Sequence, residues 1–323
     1  MVTYAQEEQD GTEWAATRAW VEKVLPGGER IVGAAPLQGG WTSRMRRLEL
    51  DGGAAGPRSL VLRSFVKPFY LRHADALLTR EAAVLNLLGA TGVPAAALVA
   101  VDATAEHCDH PSLLMSLLPG TVRIDGEGAA RRAELLAGQL LDIHRIAVAP
   151  QDRPRAYEAW TSAERVTPPG HTRRPELWRR AVEVIRGEPP RHRAHFLHRD
   201  FHPGNVLFEG AGEELRISGV VDWVETSWGP ADLDVAHCAT SQALLHGAAA
   251  GLDFADRYTA AGGTLAEAGP DHLYWRLLDA LAFAPEAEKV AVPWRALGRT
   301  DLTPAVLAAR LEEYVEALFD RYA

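Results

Sequence analysis

Between residues 30 and 65 the apolar positions come in short runs, and further along the chain they take a helical spacing. RIVGAAPL, RMRRLEL and RSLVLRSF are separated by GG and DGGAAGP turns, the pattern of successive antiparallel strands. The periodicity predicts helices over 12–25 and 74–89, with further strands in LVAVD at 98–102 and SLLMSLLPG at 112–120. From residue 129 the pattern is mostly helical. RRAELLAGQLLDIHRI carries Leu136, Leu140 and Ile143 on one face, and 173–187, 232–247, 270–284 and 304–322 read the same way. One β island interrupts them, made of HFLHRD, NVLFEG and RISGVVDW, with EGAGEE as a hairpin-like turn. A β-rich first third followed by a helical remainder predicts a two-lobed α+β protein. Its lobes would span 1–117 and 118–323, with the crevice between them as the ligand site.

The bulk numbers narrow the function classes. A chain of 323 residues is long enough for two lobes, and 47% hydrophobic with 24% charged residues is ordinary for a globular enzyme. The net charge of −9 argues against nucleic-acid binding through the phosphate backbone. Residues 224–323 hold 15 acidic and 7 basic side chains, so the excess is concentrated there. Such a concentration reads either as solvated helix faces or as a surface that attracts a cationic substrate. No run of about 18 apolar residues predicts a membrane span. The acidic N-terminus has no apolar core of a signal peptide. Cys108 and Cys238 form no paired motif, so a reducing cytoplasm is the expected compartment.

The chemistry concentrates in LHRDFHPGN at 197–205 and VVDW at 220–223. His198 and His202 are four apart, as in a helical zinc pair, but Pro203-Gly204 breaks any helix there. No cysteine or third histidine stands at useful spacing. A serine triad also fails, because the chain has no GxSxG elbow. The remaining reading uses Asp200, Asn205 and Asp222. Their oxygens are hard ligands suited to Mg²⁺, and a carboxylate can accept the proton of an attacking hydroxyl. Pro203 and Gly204 reverse the chain between Asp200 and Asn205, and the following hairpin would deliver Asp222 beside them.

HRDFHPGN followed by VVDW resembles the catalytic loop and metal segment of the aminoglycoside phosphotransferase and choline kinase superfamily, small-molecule kinases with a protein-kinase-like fold. The resemblance implies an ATP- and Mg²⁺-dependent transfer to a hydroxyl of a small molecule. Asp200 would be the catalytic base, and Asn205 and Asp222 the metal ligands. It also implies a phosphate loop at QGGWTSR, with Gly39, Gly40 and Ser43. Arg63 would be the phosphate-side cation where the family more often has lysine. Glu81 falls among Leu77, Leu78, Val84, Leu85 and Leu88 on an apolar helix face, where a carboxylate needs a partner, and Arg63 is the expected one. The main chain of Ser116, Leu117 and Leu118 would bond adenine.

The resemblance also implies that His198 braces the loop through backbone bonds. Other residues have plainer readings, and His144 is a core histidine. His192 and His195 sit at the surface or a strand edge, and Trp223 packs the metal strand or walls the cleft. Asp232 suits the N-cap or first turn of its helix. ETSWGPADLDVAHC at 225–238 resembles the segment after the metal aspartate in the superfamily, which implies that Asp234 locks the catalytic loop. Glu225 and His202 are the substrate-side candidates, Glu225 for a cationic group. An aminoglycoside-like antibiotic is the first expectation. Choline, homoserine, a macrolide or a sugar is the alternative, and a nucleotide-binding scaffold without turnover is the reading from another class.

Overall fold

The computed structural model describes residues 14–37, 43–53, 56–170, 172–267 and 269–323. The described residues up to Thr91, with Ala95–Leu118, form one compact unit; Gly92–Pro94 and Pro119–Ala323 form the other. The architecture is the two-lobed α+β arrangement that the hydrophobic pattern predicts.

In the first unit, α1 (Ala15–Val24) precedes β1 (Arg30–Pro36), β2 (Arg44–Asp51) and β3 (Arg58–Ser64). Two helices follow, α2 (Pro68–Leu71) and α3 (Ala74–Leu88), then β4 (Leu98–Asp102) and β5 (Ser112–Ser116). The five strands form one antiparallel sheet in the order β1-β2-β3-β5-β4. β3 is therefore the central strand, which explains its near-continuous apolar run SLVL. Trp20 and Val21 of α1 pack against Leu48, Leu60 and Leu62 of the sheet, all buried. Each such side chain contributes roughly 1.5–3 kcal/mol by leaving water.

The second unit begins with β6 (Thr121–Val122), α4 (Ala129–His144) and α5 (Pro175–Arg186). It continues through β7 (Ala194–Leu197), β8 (Val206–Glu209), β9 (Arg216–Val220) and β10 (Ser227–Pro230). Helices α6 (Ala231–His246), α7 (Ala248–Ala260), α8 (Gly269–Ala280), α9 (Glu288–Ala296) and α10 (Pro304–Tyr322) complete it. The single β island expected from sequence is in fact two sheets. β7 pairs with β10, while β8 and β9 form a hairpin that β6 extends. The amide of Val220 donates to Pro94 O at 2.7 Å, which ties Gly92–Pro94 to this unit.

Besides the four-residue α2, two helices escape the periodicity for local reasons. α7 starts directly after Gly247, whose φ of +100° is a glycine conformation that separates it from α6. α9 is short and carries Pro293 in its interior, a residue that reads as a helix breaker. α6 differs from expectation in another way. Every residue from Ala231 to Leu245 is buried, so it has no solvated face and its polar residues are interior groups. Among the described residues no helix is long and apolar enough to cross a membrane.

Candidate functional site

In the first unit, Arg63 and Glu81 are 5% and 2% exposed and form an ion pair, Nη1 to Oε1 at 2.8 Å. The Arg63 Nε also donates to Ser43 Oγ at 3.2 Å, and its guanidinium lies 5.3 Å from the Phe65 ring centre. Central placement of β3 and the apolar face of α3 put both charges indoors, where each requires the other. Gly39 and Gly40 lie outside the described residues. At the end of β5, the Ser116 amide is used by Ala97 O at 2.9 Å, and the Leu117 amide lies 3.5 Å from Ser59 O. The Ser116 Oγ accepts from the Ala97 amide, so of the adenine candidates it is largely committed to the sheet edge.

In the second unit the loop after β7 is held by one carboxylate. Asp234, on the first turn of α6, accepts the amides of His198 (Oδ2) and Arg199 (Oδ1), both at 2.8 Å. Its Oδ2 also lies 3.2 Å from His144 Nε2, whose Nδ1 is 2.7 Å from the Tyr258 hydroxyl. Burial alone would raise the Asp234 carboxyl; the His144 hydrogen bond and the Arg199 charge outweigh it and lower it. Between those two anchored amides Arg199 adopts φ +75°, a left-handed conformation that costs a non-glycine residue on the order of 1–3 kcal/mol. His198 is neutral through burial and fully interior; its Nδ1 accepts the Asp200 amide at 3.2 Å and its Nε2 donates to Val221 O at 3.0 Å. Asp232 sits in the same first turn of α6 and accepts the Ala266 amide.

The turn Pro203–Asn205 brings Asn205 back onto Asp200, as the Pro-Gly spacing predicts. Asn205 Nδ2 donates to both Asp200 O (2.9 Å) and Asp200 Oδ2 (3.0 Å), which leaves its Oδ1 as the hard acceptor. The Asn205 carbonyl accepts the Val221 amide at 3.0 Å, and Val206 pairs with Val220, so Asp222 follows at the end of the same hairpin. Asp222 also has a left-handed backbone, φ +66°, and its charge acts on both His198 and His202. His202 Nδ1 accepts the Gly204 amide at 3.0 Å. A Cβ at Gly204 would come within 2.7 Å of the His202 ring, so the glycine is required by that close approach.

Two residues that the sequence did not single out complete the cluster. His237 of α6 lies with Nε2 3.2 Å from Asp200 Oδ1 and Nδ1 3.0 Å from Asp279 Oδ1 of α8. Burial opposes the imidazolium, but Asp279 and Asp200 outweigh it and raise His237 to about 9. Asp200 shows the opposite balance: burial would raise its carboxyl, while the His237 hydrogen bond and the His237 imidazolium charge hold it well below the usual range. His202, with Nε2 3.8 Å from Asp200 Oδ1, is driven by burial down to about 4 and is neutral. Asp200, His202 and His237 offer atoms within 4.8 Å of one another, the spacing of a metal site. The hydrogen bonds argue otherwise. Because His202 Nδ1 accepts from Gly204, its proton sits on Nε2, and His237 is a cation with both nitrogens donating. The cluster is an ion pair around Asp200.

The His237 imidazolium has a stability consequence. Its folded pKa of about 9 lies above the ordinary 6.5, so its contribution is complete below pH 6.5 and is lost as pH rises through about 9. Tm measured from about pH 7 to 10 should fall as this contribution, on the order of 1–3 kcal/mol, disappears. His237→Gln should flatten that slope; an equal slope in both proteins would remove His237 as its source.

Glu225, expected to meet a cationic group, is already paired: Arg155 Nη2 donates to its Oε2 at 2.6 Å. Trp223 is buried, with its ring centre 4.3 Å from that of His198 and tilted against it, so it packs the loop after β7.

A model of the phosphotransferase enzyme family matches residues 33–281. A Ralstonia eutropha JMP134 protein provisionally assigned as an aminoglycoside phosphotransferase superposes with a TM-score of 0.63 at 16% identity, over 95% of this chain and 98% of that one. The macrolide 2'-phosphotransferase MphH from Brachybacterium faecium superposes with a TM-score of 0.55 at 17% identity, over 91% and 97%. A thermostable variant of the aminoglycoside phosphotransferase APH(4)-Ia, solved with AMP-PNP and hygromycin B, gives 0.57 at 17%, over 94% and 98%. No curated protein sequence matches the chain. These structures share its fold, and the family match spans most of its length, from β1 through α8: the chain belongs to the phosphotransferase enzyme family.

Proposed function

We propose that the chain transfers the γ-phosphoryl group of ATP, with Mg²⁺, to a hydroxyl of a small molecule, with Asp200 as the base. The observation that carries this reading is the way Asn205 spends its amide hydrogens on Asp200 and keeps its oxygen for a cation. Asn205 Oδ1 and the Asp222 carboxylate are the oxygen donors that Mg²⁺ prefers, and they fit it better than a softer metal. When bound, Mg²⁺ would neutralise charge on the phosphates.

The chain's own groups do the rest. Asp200 accepts the proton of the acceptor hydroxyl as the new O–P bond forms and the bond to the leaving ADP oxygen breaks. The Asn205 and His237 hydrogen bonds hold its two oxygens in place and keep it ionised. Arg63, fixed by Glu81 and Ser43, is the cation for the phosphates of the nucleotide. The alternative, a nucleotide-binding scaffold without turnover, is disfavoured by the presence of base, amide and second carboxylate together.

Among acceptors, an aminoglycoside-like antibiotic follows from the family resemblance and from relatives solved with such drugs. Choline, homoserine, macrolides and sugars belong in the same panel. The engagement of Glu225 by Arg155 removes the free carboxylate that would favour a cationic substrate on that side. ADP release should require Mg²⁺ and rise at least tenfold over the basal rate with the true acceptor. A panel of hydroxylated compounds that never exceeds the basal rate, with nucleotide still bound, would favour the scaffold.

A further inference from the structure

Beside the catalytic loop the second unit has a cleft of about 240 Å³, lined by Arg155, Arg165 and Arg199, by Glu158 and Glu225, and by Trp160 and Ser227. Its charges are unequally spent. Arg155 and Glu225 cancel in their 2.6 Å ion pair. Arg199 is 3% exposed, yet among the described residues no carboxylate lies within ion-pair distance of it. Its Nη2 donates to the main-chain oxygen of Glu158 at 3.1 Å, and its guanidinium rests 4.5 Å from the Trp160 ring centre. A guanidinium has five donors, so most of those of Arg199 are left for another acceptor. Arg165 makes no side-chain hydrogen bond or ion pair among the described residues. The Ser227 Oγ is buried and has no partner there either. The Glu158 carboxylate, which is exposed, is the one acidic group of the cleft lining that is in no ion pair among the described residues.

This arrangement is costly for an empty or neutral-filled cleft. A buried guanidinium whose carboxylate neighbours Asp234, Asp279, Glu225 and Asp200 act only from beyond ion-pair distance recovers part of its desolvation penalty, and a buried hydroxyl without a partner adds a cost of its own. A carboxylate or phosphate satisfies both, since its oxygens match the planar fork of arginine and accept from a serine hydroxyl. The cleft also adjoins the reacting centre. Arg199 directly precedes Asp200, and the Trp160 ring lies 4.8 Å from His237, whose Nε2 is 3.2 Å from Asp200 Oδ1.

We propose that this cleft binds an anionic group on the phosphoryl acceptor, so that the substrate is a hydroxyl compound carrying a carboxylate or a phosphate. The inference rests on the phosphotransferase reading for its word "acceptor", but the anion site stands on the cleft alone. Polycationic acceptors would add positive charge beside Arg165 and Arg199 and leave both unpaired.

Two measurements separate the claims. The first is kcat/KM on hydroxy acids and sugar phosphates against their neutral amide or alcohol analogues and against aminoglycosides. At least tenfold preference for one of the acidic series is expected, and its identity distinguishes carboxylate from phosphate. Equal or better turnover of neutral or cationic acceptors overturns the inference and leaves the kinase reading standing. The second is calorimetric binding of acetate and of inorganic phosphate to the full chain without nucleotide. Arg165→Gln, at an exposed position, and Ser227→Ala should each weaken binding of the preferred anion about tenfold, with Tm of R165Q unchanged. Anion binding that neither substitution alters, or no anion binding, overturns the site even if phosphorylation is observed. Anion binding that both substitutions weaken supports it even if no acceptor is turned over.

Discussion

Asp200→Asn should reduce phosphoryl transfer by about 10²–10⁴-fold in kcat while nucleotide affinity changes little. The substitution preserves size and leaves an oxygen for Asn205 or His237, so the loop geometry is largely retained. What it removes is the proposed acceptor of the hydroxyl proton and the counter-charge of a histidine raised to about 9. The expected signature is therefore a fall in kcat with KM for nucleotide nearly constant, measured by coupled ADP detection on the true acceptor. Wild-type turnover in D200N would remove Asp200 as base and shift attention to a substrate-derived group.

The second large effect is on stability. Asp234→Ala deletes the acceptor of two amides and the partner of His144, all of them buried, and cannot be compensated by water without opening the core. The expected cost is about 3–5 kcal/mol, which lowers Tm by roughly 10 °C in a unit of this size. Because Asp234 also holds Arg199 in its left-handed conformation, the loop should relax and activity should fall with it. Asp234→Asn keeps oxygen acceptance and should recover part of the Tm. Thermal melts of the two variants check this; a D234A protein within 1 °C of wild type, against the shift of roughly 10 °C, would mean that the loop is anchored elsewhere.

How much of this was legible in the sequence depended on separation along the chain. Asp200 and Asn205 lie within one turn, and Asp222 is one hairpin away, so spacing alone could assemble them. Glu81 betrayed itself by breaking an apolar helix face, which asked for a cation and made Arg63 a sensible partner. His237 gave no such sign. On a helix presumed to have a wet side, a histidine at that position is unremarkable, and its second partner, Asp279, lies 42 residues further on. Only the all-round burial of α6 converts it into a site residue. The same blindness affected Glu225, whose charge looked available because Arg155, 70 residues earlier, was invisible to any local pattern. Strand order was similarly hidden: adjacent β segments read as one island, while β10, whose SWGP carries a glycine and a proline in place of an apolar run, takes β7 into a separate sheet.

The interior placement of α6 carries an evolutionary corollary. A helix with one wet stripe can drift at every third or fourth residue, and those positions give a lineage its neutral variation. α6 has no such stripe from Ala231 to Leu245, and it carries both the loop anchor and the partner of the base one turn apart. In a saturation scan it should register as an uninterrupted intolerant block, while α4 and α5 show periodic tolerance. The residues Arg155, Trp160 and Arg165 that line the proposed acceptor cleft lie instead in the irregular segment between α4 and α5, so substitutions there leave that helix untouched.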